Sequence, residues 1–416
     1  ADYEKKEVFN NAYKKDEFYF KVDPFTIESL DDVDYTTLRF GGSMISDGIF
    51  PEFREELSLQ PDRSLGFRTR TPEVGFPMYG GMGNFNDSVF LSNEGFLGSG
   101  NLEFMASTTY SNNFIFLPDS TTAKAYAFTV DKTTAGIEFP DVKNDNVLMS
   151  WIPADDYMSV RMQEKPFTFF EGIGTLKGNL IVTSLGLFGN GTMNWQDADL
   201  SSKEFFFGAM TMQADTGALT IKSIREGVFA LRMDNINANV DFESQHGLFK
   251  ANIDTVLTKL PYNMYQTSIN EFDWDMANKV IDFNSTNQEF GEFFSMEPTQ
   301  DGLAFRGTNG KLDLNTYVLS VEGVPYIAIA DSRVLPDSGL VFIEDAAKMR
   351  TLQNAEIVGD SIFAYQNIHG ATLDIWGRNS IKGSGWYTYT SPQGKEQEMP
   401  IEEITVIKER DSINEY

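Results

Sequence analysis

Cysteine is missing altogether from the 416 residues. No disulfide framework, thiolate nucleophile or cysteine-ligated metal is therefore open to the chain. Histidine is nearly as scarce, with only His246 and His369. Two isolated imidazoles cannot supply the sets of ligands that a zinc enzyme uses. Each stands beside a glycine, in Ser244-Gln245-His246-Gly247 and Asn367-Ile368-His369-Gly370, and both read as solvated turn residues. No Gly-x-Ser-x-Gly pentapeptide presents a nucleophile, and Gly383-Ser384-Gly385 is too short to supply one. A Ser-His-Asp hydrolase is disfavoured accordingly. No run of 18 apolar residues occurs, so no segment spans a membrane as a helix. Positive charge is also in deficit: 33 Lys and Arg against 61 Asp and Glu leave a net charge of −28. That sign disfavours nucleic acid and anionic lipid surfaces, which call for clustered cations.

What the chain does have is a period. Gly81, Gly83, Gly95, Gly98 and Gly100 recur at Gly172, Gly174, Gly186, Gly189 and Gly191, each displaced by 91 residues (172 − 81 = 91, and so on). Intervening positions keep their polarity, as in Val89/Leu180, Leu91/Val182, Leu102/Met193 and Phe104/Trp195. Agreement runs on through Phe114-Ile115-Phe116 against Phe205-Phe206-Phe207, to Gly136/Gly227. A fixed period of this kind points to a duplicated unit and hence to architecture.

Within each copy, polar and apolar residues alternate, as in Asn179 to Thr183, Gly191 to Trp195 and Ala218 to Ile224. This is the pattern of half-buried strands. Gly98-Ser99-Gly100 and Asn190-Gly191 read as hairpin or corner turns. The glycine spacings of Gly172-Ile173-Gly174 and Gly95-Phe96-Leu97-Gly98 also invite a phosphate-loop reading. Such a loop must open a helix, whereas the β-branched run Leu180-Ile181-Val182-Thr183 follows, so structural turns are expected instead.

Length predicts two or three domains or one elongated array, and 35 Phe among 41% apolar residues suffice for an ordinary core. The domains expected are an N-terminal β-rich segment (1–75), copy 1 (76–166), copy 2 (167–259) and a diverged β region (260–416). Glu17 to Val22 predicts a strand, and Leu38-Arg39-Phe40 with Gly41-Gly42 a strand and turn. Pro140 to Lys165 reads as irregular. Past Leu260 the glycine register is lost, but alternation persists at Glu271–Met276, Lys311–Leu314, Tyr326–Ile329, Thr372–Trp376 and Ile404–Ile407. Glu344 to Leu352 has a helical composition in strand-rich surroundings, leaving helix and strand both open. A chain that opens on Ala1 and closes through Lys408-Glu409-Arg410-Asp411 reads as a processed or internal segment of something longer.

Two stretches, Gly75 to Gly81 with Leu91 to Gly100, and Tyr326 to Gly339, resemble parts of very large envelope proteins of Bacteroidota. Gly310 to Leu314 followed by Val318 to Val324 is similar to the rungs of OstA-like lipopolysaccharide-bridge proteins. The resemblance implies a β-jelly-roll or solenoid in the periplasm or at the cell surface, and carries over no active residue.

Among possible sites, Asn270-Glu271 resembles the acid/base dipeptide of some retaining glycosidases. That chemistry needs two carboxyls about 5 Å apart in a rigid cleft. The simpler account makes Glu271, Asp273 and Asp275 the wet face of a strand whose dry face is Phe272, Trp274 and Met276. The same three acids, with Asp31-Asp32-Val33-Asp34, Asp141 to Asp145 and Asp155-Asp156, could serve structural calcium, although Asp/Asn turn chemistry explains them equally. Phe167, Phe169, Phe170, Phe205 to Phe207 and the tryptophans Trp151, Trp195, Trp274, Trp376 and Trp386 could line a sugar platform or a lipid groove, or form core. Phe205-Phe206-Phe207 must send rings to both faces of its strand.

Together these features predict an all-β, elongated β-solenoid or stack of jelly-roll repeats with tandem 91-residue units. The expected role is a non-enzymatic structural or interaction module of a large bacterial envelope assembly, periplasmic or at the surface. No catalytic, cofactor-binding or metal-ligating residue is assigned. Its partners would be other protein subunits or the rest of a longer chain, without nucleic acid or a transmembrane helix. The alternatives are an OstA- or AsmA-like lipid conduit and a glycan-binding or glycan-active surface protein.

Overall fold

The computed structural model describes residues 8–26, 38–284, 290–359 and 366–406. They form 35 strands and a few 3-10 turns of three or four residues, with no α-helix among the described residues. The ladders are antiparallel throughout, from Phe18–Val22 on Arg39–Ser46 to Ser380–Thr390 on Glu396–Thr405. The protein is therefore all-β, as the alternation predicts. Expectations that fall on Asp31 to Asp34, Ile407 and Lys408 to Asp411 lie outside the described residues.

The chain divides into two compact units, one of residues 1–195 with 203–211 and one of 196–202 with 212–416. In the first, ten-residue strands are the organising feature. Gly83–Ser92 pairs with Gly95–Phe104, which pairs with Ser107–Phe116. These strands bend, so that each end serves a different layer. Gly83–Ser92 takes Phe76–Met78 at one end and Leu65–Arg70 at the other. Ser107–Phe116 takes Ala127–Val130 at one end and Thr121–Ala125 at the other. Two short ladders then run on separately. One passes through Thr121–Ala125, Val147–Ile152 and Tyr157–Met162, the other through Ala127–Val130, Val142–Asn144 and Phe167–Phe169, and both end on Gly174–Thr183.

Glycine makes the bend possible. Gly100 has φ +149°, its strand shifts register between Gly98 and Gly100, and a Cβ there would sit 2.0 Å from the Asn86 carbonyl oxygen. Gly191 has φ +126°, with a Cβ that would lie 2.1 Å from the Lys177 oxygen. The corner reading of Gly98-Ser99-Gly100 and Asn190-Gly191 thus holds, but neither is a hairpin turn. The hairpins close instead at Asn93-Glu94 and Ser184-Leu185, next to the register pairs Ser92↔Gly95 and Thr183↔Gly186. Gly41-Gly42 is likewise no turn. Arg39–Ser46 runs through it, because a side chain at Gly42 would strike the Lys21 carbonyl of the neighbouring strand.

Strand limits repeat with the glycines. Phe76–Met78, Gly83–Ser92, Gly95–Phe104 and Ser107–Phe116 have counterparts of equal length in Phe167–Phe169, Gly174–Thr183, Gly186–Trp195 and Ala198–Phe207, each offset by 91 (167 − 76 = 91). The stretch Pro140 to Lys165 proves regular. It contributes three of the short strands, and its Asn and Asp residues form the turns between them.

The second unit is a sandwich built from alternating hairpins. Glu271–Asp275 with Val280–Asn284 lies in one layer, Gly291–Ser295 with Ala304–Gly307 in the other. Asn309–Asp313 with Val318–Glu322 returns to the first layer, and Ile327–Ile329 with Ser332–Leu335 to the second. Gly307 and Gly310 face Val321 and Phe293 across the interior. Phe272, Trp274, Phe283, Phe293, Leu312 and Leu319 fill the space with exposures of 0–2%. Each such side chain stabilises the fold by about 1.5–3 kcal/mol through burial.

Glu344 to Leu352 is neither helix nor continuous strand. A single turn, Asp345–Ala347, with Ala346 and Ala347 left-handed, leads into the strand Leu352–Gly359. Tertiary bonds override its helical propensity. The Ala347 amide donates to the Asn263 carbonyl, Glu344 takes Lys348 and Arg350, and Asp345 pairs with Arg225.

Candidate functional site

The residues singled out from the sequence fall mostly on outer faces, where they satisfy one another. On Glu271–Asp275, Phe272 and Trp274 are buried and the acids are half-exposed, the arrangement expected of a strand with one wet face. Glu271 accepts from Lys250 at 2.9 Å, and the Asp273 carboxylate lies 3.1 Å from His246 Nδ1. Asp275 accepts from the Asn278 backbone and side chain, which hold its carboxyl below the usual range. His246 is not simply a turn residue. It sits at a strand start opposite Asp241 and Asp275, and the bond to Asp273, reinforced by the charges of Asp275 and Asp241, raises its pKa above the ordinary value. His369 Nε2 lies 3.1 Å from Glu398 and 2.9 Å from the Thr388 hydroxyl, all three on adjacent exposed strands.

Acidic loops behave similarly. Asp141 pairs with Lys143 at 3.2 Å and Asp145 with Lys165 at 2.9 Å. Asp156 has φ +52° and accepts from the Ser184 amide, tying one turn to another. Among the described residues, no group of three or more Asp, Glu or His is placed to hold a metal ion. The aromatics Phe167, Phe169, Phe170, Phe205 and Phe207 and the indoles of Trp151, Trp195 and Trp274 are core. Phe206 points the other way and packs on Phe188, with ring centroids 5.2 Å apart. Trp376 and Trp386 are about half exposed.

Sequence reasoning missed the concave outer face of the first unit, a hollow of about 620 Å³. Its floor is four adjacent strands, and two cross-strand rows run over them. One row runs Ile115, Thr122, Ser150, Ser159; the other runs Lys124, Leu148, Arg161. Inward neighbours Ala123, Val147, Met149, Trp151, Met158 and Val160 are all core, so alternation forces this set outward. Lys124 and Arg161 flank Leu148 two strands apart, roughly 10 Å by inter-strand spacing. Neither enters an ion pair among the described residues. The hydroxyls of Thr122, Ser150 and Ser159 are half-buried and likewise make no hydrogen bond among them. Tyr157 stands at the rim, 37% exposed. The sequence did hold a signal, since Leu148 to Ile152 and Tyr157 to Met162 alternate, but the Asp, Asn and Pro residues around them masked it.

A smaller hollow of about 300 Å³ lies on the second unit, lined by Phe294, Pro325, Tyr326 and the pair Glu292–Arg306. Here the charges are spent. Arg306 donates Nε and Nη2 to one Glu292 oxygen at 3.1 and 2.9 Å, and Arg333 lies over the Tyr326 ring. No family model, curated protein or solved structure matches the chain.

Proposed function

We propose that the chain is a non-enzymatic structural or interaction module of a bacterial envelope or surface assembly, made of stacked jelly-roll rungs with a 91-residue unit repeated in tandem. The observation that carries this is the shared register of strand limits and bend glycines, Gly100 at +149° and Gly191 at +126°. Antiparallel ladders favour jelly-roll rungs over a parallel β-helix, whose successive turns pair in parallel. Repeats of this kind bury their apolar faces on neighbouring strands and leave the outer faces for partners.

The packed interior weighs against a lipid conduit. Phe85, Phe96, Phe114 and Phe116 in the first unit and Phe283 and Phe293 in the second are fully buried against other side chains, so these rings do not line an open groove. Fractionating the native host with the gene for this chain tagged tests the envelope role. Recovery with the outer membrane or cell surface is expected, and recovery in the cytosol would overturn it. A fluorescent-lipid titration should show no saturable uptake; stoichiometric uptake would restore the conduit.

A further inference from the structure

We propose that the concave face around Lys124, Leu148 and Arg161 binds an acidic glycan, a saccharide chain bearing carboxylate or sulfate groups. The inference rests on the envelope role above, since it names the partner class of one face of that module. On a chain of net charge −28, the hollow is lined by two cations and no carboxylate, a local positive character that an anionic ligand would exploit. They stand roughly 10 Å apart across Leu148, so they can hold two acidic groups along one extended ligand. Between and beside them lie the unengaged hydroxyls of Thr122, Ser150 and Ser159, which can donate to and accept from sugar hydroxyls. The rim ring of Tyr157 offers a stacking surface.

Other occupants fit less well. A peptide adding as a strand needs a free sheet edge, yet these strands are interior to a continuous ladder and their backbone groups are paired. Two cations are too few for a polyphosphate backbone. Positions 91 residues on carry Asp215, Asn239, Asp241 and Asn252 in place of Lys124, Leu148, Ser150 and Arg161, and they are not brought together in the same way: Asn239 lies opposite Leu248 rather than Asn252.

The test uses the full chain on an array of carboxylated, sulfated and neutral glycans, followed by titration of the best acidic oligomer at low and high salt. Retention on acidic glycans is expected, weakened by salt and by esterifying the carboxylates. Lys124→Ala with Arg161→Ala should weaken binding at least about tenfold, with circular dichroism and the unfolding midpoint unchanged. Lys124→Asp with Arg161→Asn, which installs the downstream residues, should abolish it. Retention of poly-glutamate as tight as that of the glycan would make the partner an acidic peptide and overturn the proposal. Retention only on neutral glycans, or acidic binding that both variants keep, would overturn it too. So would no retention on any acidic glycan by the folded chain. Each of these outcomes, with the protein still in the envelope fraction, defeats this inference alone and leaves the envelope role standing.

Discussion

The outer faces of the two units put the same pleated frame to different electrostatic use. On the second unit, Lys250 meets Glu271, Lys311 meets Asp282, Arg306 meets Glu292 and His246 meets Asp273, each across adjacent strands. On the concave face of the first unit, Lys124 and Arg161 meet Leu148 instead. Cross-strand neighbours are close enough that opposite charges neutralise each other, and the pair then has little left for a ligand. Separating two cations by an aliphatic residue keeps both available. Register, more than composition, separates a spent face from an open one.

The comparison is most strongly tested from beneath. Trp151 and Trp274 are both buried, the first against Tyr79 and Phe104, the second in the sandwich with Phe249. Alanine at either should cost about 3–5 kcal/mol by denaturant unfolding. Hydrogen exchange after Trp151→Ala should lose protection in the strands of 76–195 first. Equal loss throughout would mean that the two units do not unfold separately.

Next come the bends. Gly100→Ala and Gly191→Ala each force a left-handed alanine and push a methyl onto a carbonyl oxygen. Each should destabilise by about 1–3 kcal/mol, and by similar amounts. A large cost at one and none at the other, read from unfolding midpoints, would argue against a repeated unit.

Surface charges should matter least to stability. Glu292→Gln, which leaves Arg306 without its carboxylate, should cost no more than about 1 kcal/mol. Lys124→Ala should cost nothing measurable, having no ion pair to lose; thermal melts of both variants check the contrast. The pH response is smaller still. Because the folded pKa of His246 is raised, its contribution is present below the unfolded value and lost as pH rises through the folded one. An NMR titration should place the His246 midpoint above that of a free histidine, and Asp273→Asn should lower it. A midpoint unmoved by Asp273→Asn would show that the cross-strand bond does not hold the proton.

Much of the strand pattern was legible because alternation has a period of two. Glu271 to Asp275 buries Phe272 and Trp274 and wets its acids as the letters indicate. Less legible were positions where a glycine serves two purposes. Gly41-Gly42 and Gly98-Ser99-Gly100 have the composition of turns, but one admits a neighbouring backbone and the other bends a strand between layers. Glu344 to Leu352 was ambiguous for a different reason, since Asn263, Arg225 and the nearby cations that shape it are distant in sequence or indifferent to local propensity.

The sequence by itself determined the all-β class and the inward and outward side of most strands, because these depend on local alternation. Only the tertiary structure decided which outward residues became neighbours. Lys124, Leu148 and Arg161 belong to three strands, and no local rule sets their register. That register comes from how the buried faces pack, and it leaves two unpaired cations on either side of Leu148, next to a row of hydroxyls that make no hydrogen bond among the described residues.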